Sequence, residues 1–134
     1  MPFTITPSEN GKYIVLKVTG DMTREGANRQ AIAAHALGAD LGIRCYMTDV
    51  TESRNVESAL TNYMQSHSDV RETGIDRGAC VAVLAAPDDR THDFYVTLAR
   101  TAGMNLTLFH DRDEAIAHLE AAADRLPPLP ERDS

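Results

Sequence analysis

The sequence has no tryptophan, 5% aromatic residues, two cysteines and no long apolar run. Each shortage excludes something. No stretch approaches the roughly 18 apolar residues that a bilayer-spanning helix needs. Met1-Pro2-Phe3-Thr4 lacks the basic and apolar regions of a secretory signal. A cytoplasmic protein without membrane insertion is therefore expected. Cys45 and Cys80 both fall inside expected strands and make no metal-type pair. They are read as reduced thiols packed as small apolar side chains. Positive charge is also short, with 13 Lys and Arg against 20 Asp and Glu and a formal net charge of -7. Such a surface repels nucleic-acid phosphates and anionic headgroups alike, so no nucleic-acid partner is expected.

Chemical motifs are missing too. The glycines form neither G-x-x-x-x-G-K-[ST] nor G-x-G-x-x-G, and no G-x-S-x-G elbow occurs. His35, His67, His92, His110 and His118 show no H-x-x-x-H or H-E-x-x-H spacing, so no metal and no cofactor are expected. Two polar clusters, Asp88-Asp89-Arg90 with His92, and Asp49 with Thr51, Glu52 and Ser53, precede expected helices, where carboxylates serve as caps. No catalytic residue can be assigned, and the expectation is a protein that is not an enzyme.

What is present is an α/β pattern. At 134 residues, 43% of them hydrophobic, the chain fits one domain that can bury roughly two-thirds of its unfolded surface. Phe3 to Ser8 and Tyr13 to Val18 read as a hairpin around Asn10-Gly11, with Ile14, Leu16 and Val18 on one apolar face. Thr23 caps a first helix whose stripe is Ala27, Ala31, Ala34, Leu37 and Leu41, and Gly42 ends it. A strand over Arg44 to Val50 follows, then a polar corner and a helix over Val56 to Val70 with Val56, Leu60, Tyr63 and Met64 on its inner side. Ala79 to Ala86, A-C-V-A-V-L-A-A, is apolar on both faces. Its pattern also fits a buried helix, but its shortness between polar loops favours a central strand. A third helix runs to about Ala102 with Phe94, Leu98 and Ala102 inward. The strand Asn105 to Phe109 follows, and Asp111 caps a last helix carrying Ala115, Ile116, Leu119 and Ala123. Residues 1–126 form the expected domain and 127–134, opening Pro127-Pro128-Leu129-Pro130, a disordered tail. Repeated strand-then-helix units call for a mixed, mostly parallel sheet of about five strands with four main helices.

Three stretches carry a family resemblance: V-T-G-D-M-T at Val18 to Thr23, C-Y-M-T-D-V-T-E-S at Cys45 to Ser53, and L-F-H-D-R-D-E-A-I-A-H-L at Leu108 to Leu119. In these and in its order of elements the chain resembles the STAS family and its SpoIIAA-like relatives, the anti-sigma-factor antagonist fold. It is most similar to the uncharacterised bacterial group called STAS/SEC14-like. The regulatory antagonists carry D-S-S-G-L at the start of their second helix and are phosphorylated on its second serine. Here the matching stretch is Glu57-Ser58-Ala59-Leu60, so Ala59 stands at the acceptor position and Ser58 is the nearest hydroxyl.

The resemblance implies a regulatory or protein-binding module, with a protein partner or self-association as a homodimer. Its surface would be a corner of Asp49, Thr51, Ser53 and Ser58 around the end of a strand and the start of the second helix. The alternative is a binder of a small apolar ligand or lipid, since lipid-transfer relatives of this fold hold lipid between sheet and helix. Tyr46, Tyr63, Met64, Phe94, Tyr95 and Met104 would line that pocket.

Overall fold

The computed structural model describes residues 3–69 and 74–128. Alternation at Ile14, Leu16 and Val18 produces a strand with those three side chains buried. It is β2 (Ile14–Met22), paired with β1 (Phe3–Pro7) across the expected hairpin. Then come α1 (Arg24–Leu41), β3 (Cys45–Asn55) and α2 (Ala59–Met64), which runs into one wider π-type turn at Gln65–Asp69. The chain ends with β4 (Cys80–Leu84), α3 (Asp93–Thr101), β5 (Asn105–Phe109) and α4 (Arg112–Ala123). The sheet order is β1-β2-β3-β4-β5, with β1 antiparallel and the other pairings parallel. This is the expected mixed α/β sheet with four helices.

Every residue of β4 is buried, as an apolar run between two covered faces requires. On one face Ile14, Leu16, Val18, Tyr46, Val50, Val81, Val83 and Leu106 meet Ala34 of α1 and Val96 and Ala99 of α3. On the other, Cys45, Met47, Cys80, Ala82 and Leu84 lie under Ala115, Leu119 and Ala122 of α4. Cys45 and Cys80 are free, buried and opposite each other in register.

The helix ends follow local chemistry. Thr23 Oγ1 accepts from the Gly26 amide at 3.2 Å and Asp111 Oδ1 from the Glu114 amide at 3.0 Å. Gly42 ends α1 at φ 70, in the left-handed region that costs glycine least.

Three expectations need correcting. The strand expected to stop at Val50 continues to Asn55. Its pairing with β2 runs Lys17 to Asp49 and then Thr19 to Glu52, so β3 spends three residues where β2 spends two. Asp49 Oδ1 caps the Thr51 amide within this irregular stretch at 3.1 Å, and further on Thr91 Oγ1 accepts from the Asn55 amide at 3.0 Å. The polar stretch is therefore strand, paired with Thr19 to Met22 of β2 and held further by side-chain acceptors. The second correction is α2, which is shorter than the expected helix and packs mainly on α3 rather than on the sheet. Polar contacts tether its flanks to α1: Glu57 accepts from the Arg24 amide at 3.1 Å, and Asp69 takes the Arg24 guanidinium at 2.6 Å and Asn28 at 2.7 Å. Asn62 is its buried residue, bonded to Asn55 at 2.9 Å, so Val56, Leu60, Tyr63 and Met64 face solvent. In α3 the inward positions are Val96 and Ala99 instead of Phe94, Leu98 and Ala102, and Phe94 is exposed.

Among the described residues no helix is long and apolar enough to cross a membrane. The expected tail lies outside the described residues from residue 129 on. The Pro127 carbonyl accepts from Arg44 at 3.1 Å.

Candidate functional site

Small side chains on α1 leave space over the sheet. Ala27, Ala31 and Ala34 form the roof of a cavity of about 110 Å³, with Leu16, Val50, Val81, Val83 and Leu106 below and Tyr95 and Val96 of α3 at one side. Met22 and Asn55, the last residues of β2 and β3, also line it. Protein interiors hold few voids larger than a water, so a hollow of this size asks for a reason.

Its walls are mostly apolar and contain no Lys, Arg, Asp or Glu. Besides Asn28, Thr48 and Asn55, five side chains bring polar groups to it. Gln30 is 2% exposed, and its Nε2 has no hydrogen-bond partner among the described residues. His35 Nδ1 accepts from the Asp76 amide at 3.2 Å, and its ring stacks on Tyr46 at 4.2 Å. Burial pushes the His35 pKa down to about 4, against the upward pull of Asp76, so the ring is neutral with its proton on Nε2. The Tyr46 hydroxyl donates to the Ile43 carbonyl at 3.3 Å, and burial, with Asp76 adding, pushes its pKa up to about 12. Burial, with Asp69 adding, does the same to Tyr95. His92 is buried and donates through Nε2 to the Ser53 carbonyl at 3.0 Å, with Asp89 at 3.5 Å.

Of the residues expected to line a pocket, Tyr46, Tyr95 and Met104 do so, whereas Tyr63, Met64 and Phe94 lie outside it and are exposed. Gln30 was missed. Its signal was its phase, three residues after Ala27 and four before Ala34, an amide set within an alanine stripe.

The expected corner is dispersed by the longer β3. Asp49 is buried and accepts from the Thr51 hydroxyl at 2.7 Å and from Arg112 of α4 at 2.9 Å. Burial raises its pKa, but those hydrogen bonds outweigh burial and hold the carboxyl below the usual range. Ser53 is buried farther along, its hydroxyl without a partner among the described residues. Ser58 is exposed and accepts from the Thr61 amide at 3.2 Å. Only Asp49 and Thr51 of the four are joined by a hydrogen bond.

On the opposite face Cys80 Sγ lies 3.5 Å from His118 Nε2. The neighbouring thiols act on each other, pushing the Cys80 pKa down and the Cys45 pKa up, and His118 adds to the fall at Cys80. Among the described residues no group of three His, Cys, Asp or Glu is placed to hold a metal ion.

No protein-family model matches the sequence, and no curated protein matches it. The structure is similar to the crystal structure of an uncharacterized protein of the DUF3478 family from Shewanella loihica PV-4, described as having a SpoIIAA-like fold. The TM-score is 0.52 at 18% identity, over 88% of this chain and 92% of that one. The chain therefore has a SpoIIAA-like fold, as the STAS-type resemblance implied, and identity that low carries the fold alone.

Proposed function

We propose that this SpoIIAA-like protein is a non-enzymatic binding module that holds a small apolar ligand in the cavity between α1, α3 and the sheet. The observation that carries the reading is the cavity itself, mostly apolar in its walls and lined by no acidic or basic side chain. Two of its imidazole nitrogens are already engaged, His35 Nδ1 by an amide and His92 Nε2 by a carbonyl. Volume decides the ligand's size. A cavity of roughly 150 Å³ holds benzene, so about 110 Å³ suits a ring or a short chain and is too small for a whole lipid.

Methionine methyl NMR tests this with cyclopentane as the probe. Met22 and Met104 line the cavity, while Met47 is buried on the other face and Met64 is exposed. Cyclopentane should move the Met22 and Met104 signals and leave Met47 in place, and Ala31→Leu, which fills the cavity, should abolish the shifts. No shift at Met22 and Met104 overturns the reading.

A second reading, association with another copy of the chain, draws on a separate observation. Val56, Leu60 and Tyr63 are exposed on and before α2, with Leu60 71% accessible, and Phe94 is exposed on α3 against which α2 packs. Apolar side chains gathered on one side of a monomer are characteristic of contact surfaces.

A further inference from the structure

We propose that the cavity's ligand is electrically neutral and presents a carbonyl-type oxygen to Gln30 Nε2. The inference rests on the reading of the cavity as a ligand site and specifies what that site selects.

Gln30 is the strongest polar signal in the cavity. Its amide is buried, and its Nε2 donor finds no acceptor among the described residues. A buried donor without an acceptor is costly, and nearly all such groups in folded proteins are paired. The residues one turn to either side, Ala27 and Ala34, are too short to reach it, Val50, Val81 and Val83 across the cavity offer no side-chain acceptor, and none of the lining oxygens of Asn28, Thr48, Asn55 and Tyr95 is bonded to it. A ligand oxygen in the cavity would supply the missing acceptor.

Charge sets the second requirement. A carboxylate in this space would be desolvated with no cation in the lining to offset it, and an ammonium would lack an anion. Ionic groups beside the lining residues are engaged: Asp69, bonded to Asn28, pairs with Arg24 at 2.6 Å, Asp76, bonded through its amide to His35, pairs with Arg44 at 2.7 Å, and Asp89 lies 3.5 Å from His92 and accepts from Thr91. His35 is neutral at pH 7. A glutamine donor among apolar walls thus selects an uncharged acceptor. Combined with the cavity's volume, the chemical class is a ring-sized ketone, aldehyde, ester or lactone.

Calorimetric titration of the full chain with a matched set tests this: cyclopentane, cyclopentanone and butyrate. Cyclopentane and cyclopentanone differ at one carbon, CH₂ against C=O. Cyclopentanone should bind about tenfold tighter than cyclopentane, the size of one neutral hydrogen bond. Butyrate at pH 7 should bind at least about tenfold more weakly than cyclopentanone. Gln30→Met, of similar shape, should bring cyclopentanone to the level of cyclopentane while cyclopentane itself is retained. The wild-type comparison needs no variant, so a folding defect in Gln30→Met leaves it decisive. Equal binding of cyclopentane and cyclopentanone, a cyclopentanone preference that survives in folded Gln30→Met, or tighter binding of butyrate each overturn this proposal while leaving the cavity a ligand site. Failure of all three probes, cyclopentane included, overturns the ligand-site reading and this proposal with it.

Discussion

The Tyr46 side chain occupies the space that a side chain on Gly38 would need. A β-carbon at position 38 would overlap the Tyr46 hydroxyl and lie 2.8 Å from its ring carbon Cζ and 2.9 Å from the Ile43 carbonyl. The absence of a side chain at 38 lets α1 close over Tyr46, whose ring in turn carries His35 at the edge of the cavity.

Gly38→Ala should therefore destabilise the protein, although alanine is favoured in a helix by about 1 kcal/mol. Overpacking of this kind costs about 1–3 kcal/mol. Urea denaturation should show the loss, and adding Tyr46→Phe should recover part of it by removing the overlapping oxygen. A neutral or stabilising Gly38→Ala would mean that α1 and β3 are packed more loosely than this.

Stability should fall as pH drops from about 6.5 toward 4. In the unfolded chain His35 takes up a proton near its ordinary pKa of 6.5, whereas in the folded protein burial delays this to about 4. Between those values the unfolded state binds more protons, so acidification favours it. The effect is on the order of 2 kcal/mol once partial exposure to solvent is allowed for. Melting temperatures across this range should decline in the wild type and flatten in His35→Phe. Parallel profiles for the two proteins would rule out His35 as the source.

Asp49→Ala should cost far more than Arg112→Ala. Asp49 is buried and serves three donors, the Thr51 amide, the Thr51 hydroxyl and Arg112, which its loss would strand. Losing a buried acceptor of this kind costs about 2–4 kcal/mol. Arg112 is half exposed, so its removal should cost about 1 kcal/mol or less. Denaturation midpoints of the two variants would decide, and equal losses would place the anchor of β3 in the ion pair rather than in the Thr51 contacts.

Leu60→Glu tests the second reading of function. It places a charge on the most exposed apolar side chain of α2, which points away from the core. Sedimentation should show weaker self-association, with stability changed by no more than about 0.5 kcal/mol as for other surface substitutions. A wild-type chain that stays monomeric at high concentration would remove this reading.

The two thiols should resist bulky reagents. Cys45 and Cys80 are both 1% exposed beneath α4. Maleimide coupling in native protein should be slow and should become fast in denaturant. Fast native labelling would show that α4 lifts readily from the sheet.

The sequence by itself determined whatever depends on neighbours in the chain. The A-C-V-A-V-L-A-A run became an interior strand because it has no polar face to give to water. Thr23, Gly42 and Asp111 set helix ends through bonds and backbone angles within a few residues of themselves. Only the tertiary structure decided three other things. The strand beginning at Cys45 passed Val50 because its polar end, Glu52 to Asn55, pairs with Thr19 to Met22 of β2, more than 30 residues earlier, and Thr91 accepts the Asn55 amide on its other edge. The apolar side chains of α2 faced outward because tethers from Arg24 and Asn28 hold its flanks beside α1, and its body lies on α3 rather than on the sheet. Gln30 turned inward because rotation of α1 about its axis is set where Gly38 closes on Tyr46, and eight residues along a helix, about 80° past two full turns, keep Gln30 at the margin of the same buried stripe with Ala34 between. A helical pattern in sequence shows that one face will be buried. Which residues at that face's margin meet the core depends on contacts with strands distant in the chain.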